Sequence, residues 1–112
     1  MDETVRELER RLLQAKNRAG ISPYVVVRSE SAGAHAGYLE YHEDRRVDLF
    51  ESRRLWQWFG AQTLSEVAVD GVDSAKCKFG RPVRIKILDA IEIIDASDVA
   101  RESINKAPIW RA

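Results

Sequence analysis

The sequence predicts an α+β domain: an N-terminal helix, a curled antiparallel sheet or small barrel of five to six strands, and a short C-terminal helix. Three observations carry this expectation. Val5, Leu8, Leu12, Ala15 and Ala19 recur at steps of three and four, the spacing of one helix face. From Tyr24 onward, β-branched and aromatic runs are separated by short polar turns, as in closely connected strands. Near the other end, Asp95-Ala96-Ser97-Asp98 offers N-cap residues before a final helical stretch.

The first helix has a capping-box spacing at Thr4 and Glu7, a Glu7–Arg11 pair one turn apart, and a stop at Gly20 with Pro23 soon after. Its seam is roughly two heptads long, too short to stand alone. Residues 1–20 therefore dock on the domain or pair with a second copy, as an oligomerising element. Residues 21–112 form one small α+β domain. Residues 24–28 are the first strand, and Ser29-Glu30-Ser31 is a turn. Small residues then surround His35, and residues 38–41 alternate as a second strand. Glu43-Asp44-Arg45 is a charged hairpin tip, residues 46–51 are a third strand and residues 54–59 a fourth. Thr63-Leu64-Ser65-Glu66 repeats the capping-box pattern before one or two helical turns ended by Gly71. Residues 76–79 and 83–94 read as further strands around Gly80-Arg81-Pro82. Their alternation slips between Ile87 and Ala90, as at a bulge or a strand buried on both faces. The last helix runs to about Asn105 and is stopped by Pro108.

At 112 residues the chain holds one modest core. Eighteen basic and eighteen acidic residues cancel, so no global field draws it to nucleic acid or membrane. One cysteine, Cys77, excludes an internal disulfide and fits a reducing compartment. The start, Met1-Asp2-Glu3-Thr4, is acidic, unlike a basic and apolar leader, and no window reaches the length of a membrane span. These features point to a soluble, cytoplasmic protein. His35, His42 and Cys77 match no ligand spacing, so no metal is expected, and no cofactor.

The densest recognition-type run is Arg53-Arg54-Leu55-Trp56-Gln57-Trp58-Phe59-Gly60. Alternate strand residues share a face, so Arg54, Trp56 and Trp58 form one row, with Leu55 and Phe59 opposite. Indole and guanidinium surfaces suit a planar, anionic ligand. The same row can also be a core wall with an arginine at its rim, or a subunit contact, since a strand apolar on both faces needs cover on both. Gly33 and Gly37 bracket Ala34-His35-Ala36 and let a backbone or ligand come close. His35 then either lines a pocket or packs with a bond to a carbonyl. Between Lys76 and Lys86 there are five basic residues and no acid, and between Asp89 and Asp98 four acids and no base. If residues 76–86 form a hairpin, Arg81 and Arg84 sit on a positive rim, which either meets phosphate or protects a solvated edge strand. No nucleophile elbow, Walker pattern or dinucleotide glycine pattern is present, so an enzyme is not expected. Cys77 between Lys76 and Lys78 suggests a lowered thiol pKa, although alternation points both lysines away from the sulfur.

Several blocks resemble a family of small phage and prophage proteins: Tyr24-Val25-Val26-Val27-Arg28, Ala32-Gly33-Ala34-His35-Ala36-Gly37, Arg53 to Ala61 with Thr63-Leu64-Ser65-Glu66, and Ala90-Ile91-Glu92-Ile93-Ile94. The resemblance covers residues 24–110, is most specific in the arginine-tryptophan block, and leaves out the first helix. It implies a phage context in the host cytoplasm and a small non-enzymatic accessory role, and it transfers no catalytic residue. In size, helix and Arg/Trp composition the chain also resembles phage anti-defence proteins that sequester cyclic nucleotide or ADP-ribose signals. The resulting expectation is a homo-oligomer holding such an anion. Trp56 or Trp58 would stack on the base, Arg28, Arg54, Arg81 and Arg84 would meet phosphates, and His35 would line the pocket. The alternatives are a protein-protein inhibitor or assembly factor acting on a host or virion protein, and a barrel that binds single-stranded nucleic acid, which the neutral charge disfavours.

Overall fold

The computed structural model describes residues 22–111, so the predicted N-terminal helix lies outside the described residues. The element order is β1 (Tyr24–Ser29), β2 (Gly33–Glu43), β3 (Arg46–Gln57), α1 (Leu64–Asp70), a 3-10 turn (Ser74–Lys76), β4 (Lys78–Phe79), β5 (Val83–Ile87), β6 (Ala90–Asp95) and α2 (Asp98–Lys106). The strands form one six-stranded sheet ordered β4-β3-β2-β1-β6, with β5 also on β3. Every strand pair is antiparallel. The α+β class holds, but the sheet is not closed into a barrel. β5 and β6 follow one another across Leu88-Asp89, yet β5 pairs with β3 and β6 with β1. No helix among the described residues is long and apolar enough to cross a membrane.

Local chemistry places the helices. The Thr63 hydroxyl accepts from the Glu66 N–H at 3.2 Å, and the Glu66 carboxylate accepts from the Gln62 N–H at 3.0 Å. The Ser97 hydroxyl accepts from the Ala100 N–H at 3.1 Å and donates to the Val69 carbonyl at 2.7 Å. One side chain thus starts α2 and ties it to α1.

Four strand expectations change. The segment around His35 is the first part of β2, paired with β1 from Ser29↔Gly33 to Tyr24↔Tyr38. The expected third and fourth strands are one strand, β3, which carries a positive φ of 53° at Glu51. The expected 76–86 hairpin does not form, because β4 and β5 each pair with β3. The slip between Ile87 and Ala90 is a change of partner: Ile87 pairs with Val47 on β3, and Ala90 with Ser29 on β1.

The core has two parts. Tyr24, Val26, Ala36, Leu55 and Phe79 pack under Val67 and Ala68 of α1 and Ile104 of α2. Val25, Val27, Val47, Leu49, Ile87 and Ala90 form the second cluster. The continuous apolar run of β1 feeds both, as expected of a strand covered on both faces.

Candidate functional site

Pairing between β2 and β3 ends at His35↔Arg54. Beyond it β3 turns to β4 through Leu55↔Phe79, while Ala34 and Gly33 stay with Arg28 and Ser29 of β1. The strands part there. A cleft of about 310 Å³ opens between Ser31, Ala32, Gly33 and Ala34 on one side and Arg54, Leu55 and Trp56 on the other. A larger groove of about 840 Å³ lies by the start of α1, lined in part by Arg28, Glu92, Ala34, Leu55, Trp58, Leu64 and Ile91. Glu92, Arg28 and Ala34 follow one another across β6, β1 and β2. Cleft and groove share Gly33, Ala34 and Leu55.

The predicted tryptophan row is split. The register shift between Leu55 and Gln57 breaks the alternation. Trp56 stands out beside the cleft, 56% exposed, with the Arg54 guanidinium 5.2 Å from its ring centroid. Trp58 turns toward the core under the helices and into the groove. Two residues outside the predicted row complete the patch: Lys78, from the basic run, and Trp110, which sequence reasoning missed. Trp110 tilts against Trp56 with centroids 6.2 Å apart, and the Lys78 ammonium lies 5.6 Å from the Trp110 ring. Trp110 is brought there by a parallel bridge between Ile109 and Phe79 and by its N–H donating to the Phe79 carbonyl at 2.9 Å. The only signal in the sequence was a tryptophan standing alone after a helix stop. Among the described residues no carboxylate pairs with Arg54 or Lys78.

The other candidates are placed as follows. Arg81 is exposed and follows Gly80, whose N–H donates to the Arg54 carbonyl at 2.8 Å. Arg28 lines the groove, with its guanidinium 3.2 Å from Glu92. Arg84 gives Nε to Glu40 at 3.0 Å and also pairs through Nη2, so a buried carboxylate answers its charge. His35 lines neither cavity. It is 1% exposed and donates from Nε2 to the Ala32 carbonyl at 2.9 Å. Cys77 is buried, donates to the Asp73 carbonyl at 3.2 Å, and is pushed up in pKa by burial. Its thiolate is therefore disfavoured. Among the described residues no group of three His, Cys, Asp or Glu side chains could hold a metal ion.

His35 carries a pH prediction. Burial, first, and the nearby Arg54 charge hold its pKa below the ordinary 6.5. The unfolded chain takes up the proton at about 6.5, whereas the folded state resists it. Between those values the unfolded state binds more protons, so stability falls as pH drops below about 6.5 and is unaffected by this group above it. Urea midpoints measured from pH 8 down to about pH 5 should show this slope in the native protein and lose it in His35→Gln. An unchanged slope in the variant would assign it to other groups.

The arrangement offers ring faces and cations with no partner carboxylate among the described residues, a surface suited to holding a planar anion. A family model described as a domain of unknown function matches residues 22–104. No curated protein and no solved structure matches the chain.

Proposed function

The chain belongs to the family described as domain of unknown function (DUF6948), and we propose that it is a non-enzymatic binding module for a small nucleotide-like anion seated at the Arg54–Trp56 cleft. The observation that carries this reading is the pairing of a projecting indole with an arginine that no carboxylate among the described residues satisfies. Among the described residues Arg28 is answered by Glu92, Arg45 by Glu30 and Arg84 by Glu40, whereas Arg54 at the cleft is not. A guanidinium takes phosphate bidentately, and stacking on an aromatic face contributes about 1–3 kcal/mol per base. Lys78 and Arg81 add charge near the same edge.

A cyclic-nucleotide or ADP-ribose-type signal has this chemistry. Such a ligand would be held rather than turned over, which suits a phage-type accessory protein that sequesters a host signal. A homo-oligomer is part of the reading, with the exposed Ile109 and Trp110 beside the cleft supplying the apolar contact. Light scattering at micromolar concentration tests that part, and a monomer would remove it.

Isothermal titration against cyclic mononucleotides, cyclic dinucleotides and cyclic ADP-ribose isomers tests the ligand. Trp56→Ala should weaken binding by roughly 5- to 150-fold, the equivalent of about 1–3 kcal/mol. Its stability should change by less than about 0.5 kcal/mol, because the ring is more than half exposed. No heat and no thermal shift across the panel would remove the reading. The continuous apolar edge of Trp56, Ile109 and Trp110 favours one other reading, a docking surface for a host or virion protein. That reading predicts a captured protein whose release follows Trp56→Ala while nucleotides have no effect.

A further inference from the structure

We infer that the ligand carries two planar groups joined by an anionic link, the class to which dinucleotides belong; this rests on the cleft reading and extends it. Each cavity has its own tryptophan, Trp56 at the cleft and Trp58 in the groove. Their electrostatics differ. Arg54 at the cleft has no carboxylate partner among the described residues, whereas Arg28 in the groove is already paired with Glu92 at 3.2 Å. A phosphate therefore belongs at Arg54, and an uncharged ring belongs in the groove. Ser65 and Thr63 line the groove and offer hydroxyls to the polar edge of such a ring.

The passage between the cavities is kept low. Both are lined by Gly33, where an added Cβ would meet nothing within 4 Å, and by Ala34. A groove of about 840 Å³ is also larger than one base requires. A ligand with its phosphates at Arg54 can thus place one ring on Trp56 and send the second over Gly33 toward Trp58.

The test is a titration of adenosine monophosphate against linear and cyclic diadenosine dinucleotides. The dinucleotides should bind the native protein at least about tenfold more tightly than the monophosphate. That advantage should fall to about twofold or less in Trp58→Leu. Because Trp58 also packs on the core, Gly33→Asn is the second variant. Asparagine tolerates the positive φ of 78° there, and its side chain stands in the open passage. Equal affinity for mono- and dinucleotides, or an advantage that survives both variants, overturns the two-ring ligand and leaves the cleft reading in place. No binding of either probe overturns both.

Discussion

Arg53→Met is expected to lose about 3–5 kcal/mol of unfolding free energy. Arg53 is 2% exposed and donates to five backbone carbonyls: Gly80 at 2.8 Å, Ile104 at 2.7 Å, Ala107 at 2.6 Å, Pro108 at 3.1 Å and Phe79 at 3.4 Å. The last carbonyls of a helix have no partner within it. α2 ends at Ala107 with φ −60°, without the left-handed glycine that commonly closes a helix. Arg53 reaches across from the sheet and closes it instead, with its positive charge at the negative end of the helix dipole. The same guanidinium holds the Phe79 and Gly80 carbonyls at the end of β4.

No carboxylate among the described residues pairs with this charge. Burial pushes the guanidinium pKa below its ordinary value, but arginine remains protonated, stabilised by carbonyl dipoles. Methionine fills much of the volume and donates nothing. The Phe79 and Ile104 carbonyls keep the Trp110 and Ala107 N–H groups, but the Gly80 and Ala107 carbonyls lose their donor at about 1–3 kcal/mol each, in a network whose members do not add independently. Arg53→Lys restores the charge but not the planar fork, so it should recover only part of the loss. Urea unfolding provides the measurement, with the midpoint falling and the slope unchanged. A loss under about 1 kcal/mol for Arg53→Met would mean that water replaces the guanidinium at these carbonyls. Trp110 lies two residues beyond Pro108, so the variant should also loosen the aromatic edge of the cleft.

Features that depend on local chemistry are legible in the sequence. Thr63 and Ser97 mark the helix starts, and the run from Tyr24 to Val27 marks a strand. Features that depend on pairing between distant segments are not. Nothing near Lys78 or Val83 announces that both strands pair with β3 rather than with each other. Arg53 and Arg54 are chemically alike neighbours, yet one is a core fastener and the other borders the cleft. Alternation does assign them opposite faces, but it does not say which face is covered by α2. Trp56 and Trp58 part because a register shift changes the side-chain period, and the shift has no marker in the sequence. Glu40 and Arg84 lie 44 residues apart, so an arginine that reads as a phosphate contact is already engaged.

Gly37→Ala is expected to cost about 3 kcal/mol, against about 1 kcal/mol for Gly33→Ala. The β2–β3 register passes from Ala36↔Arg53 to Tyr38↔Phe50, so Gly37 alone faces both Glu51 and Ser52. This is a bulge on β3, with Glu51 at a φ of 53°. It brings the two backbones close: a Cβ on Gly37 would lie 2.9 Å from the Ser52 Cα and 3.1 Å from the Phe50 carbonyl oxygen. Neither is the tip of a flexible side chain, so relief requires β3 to move. The bulge also decides how β3 uses its faces. Val47, Leu49 and Leu55 share one parity, yet the first two enter one core cluster and Leu55 enters the other. The extra residue inverts the strand partway along, so displacing it disturbs both clusters together. Gly33 isolates the other contribution, since its φ of 78° strains an alanine while the space around it is open. Parallel urea unfolding of the two variants separates crowding from backbone strain. Equal losses would show that the crossing at Gly37 has room to relax, and the inversion of β3 would then not depend on the missing side chain.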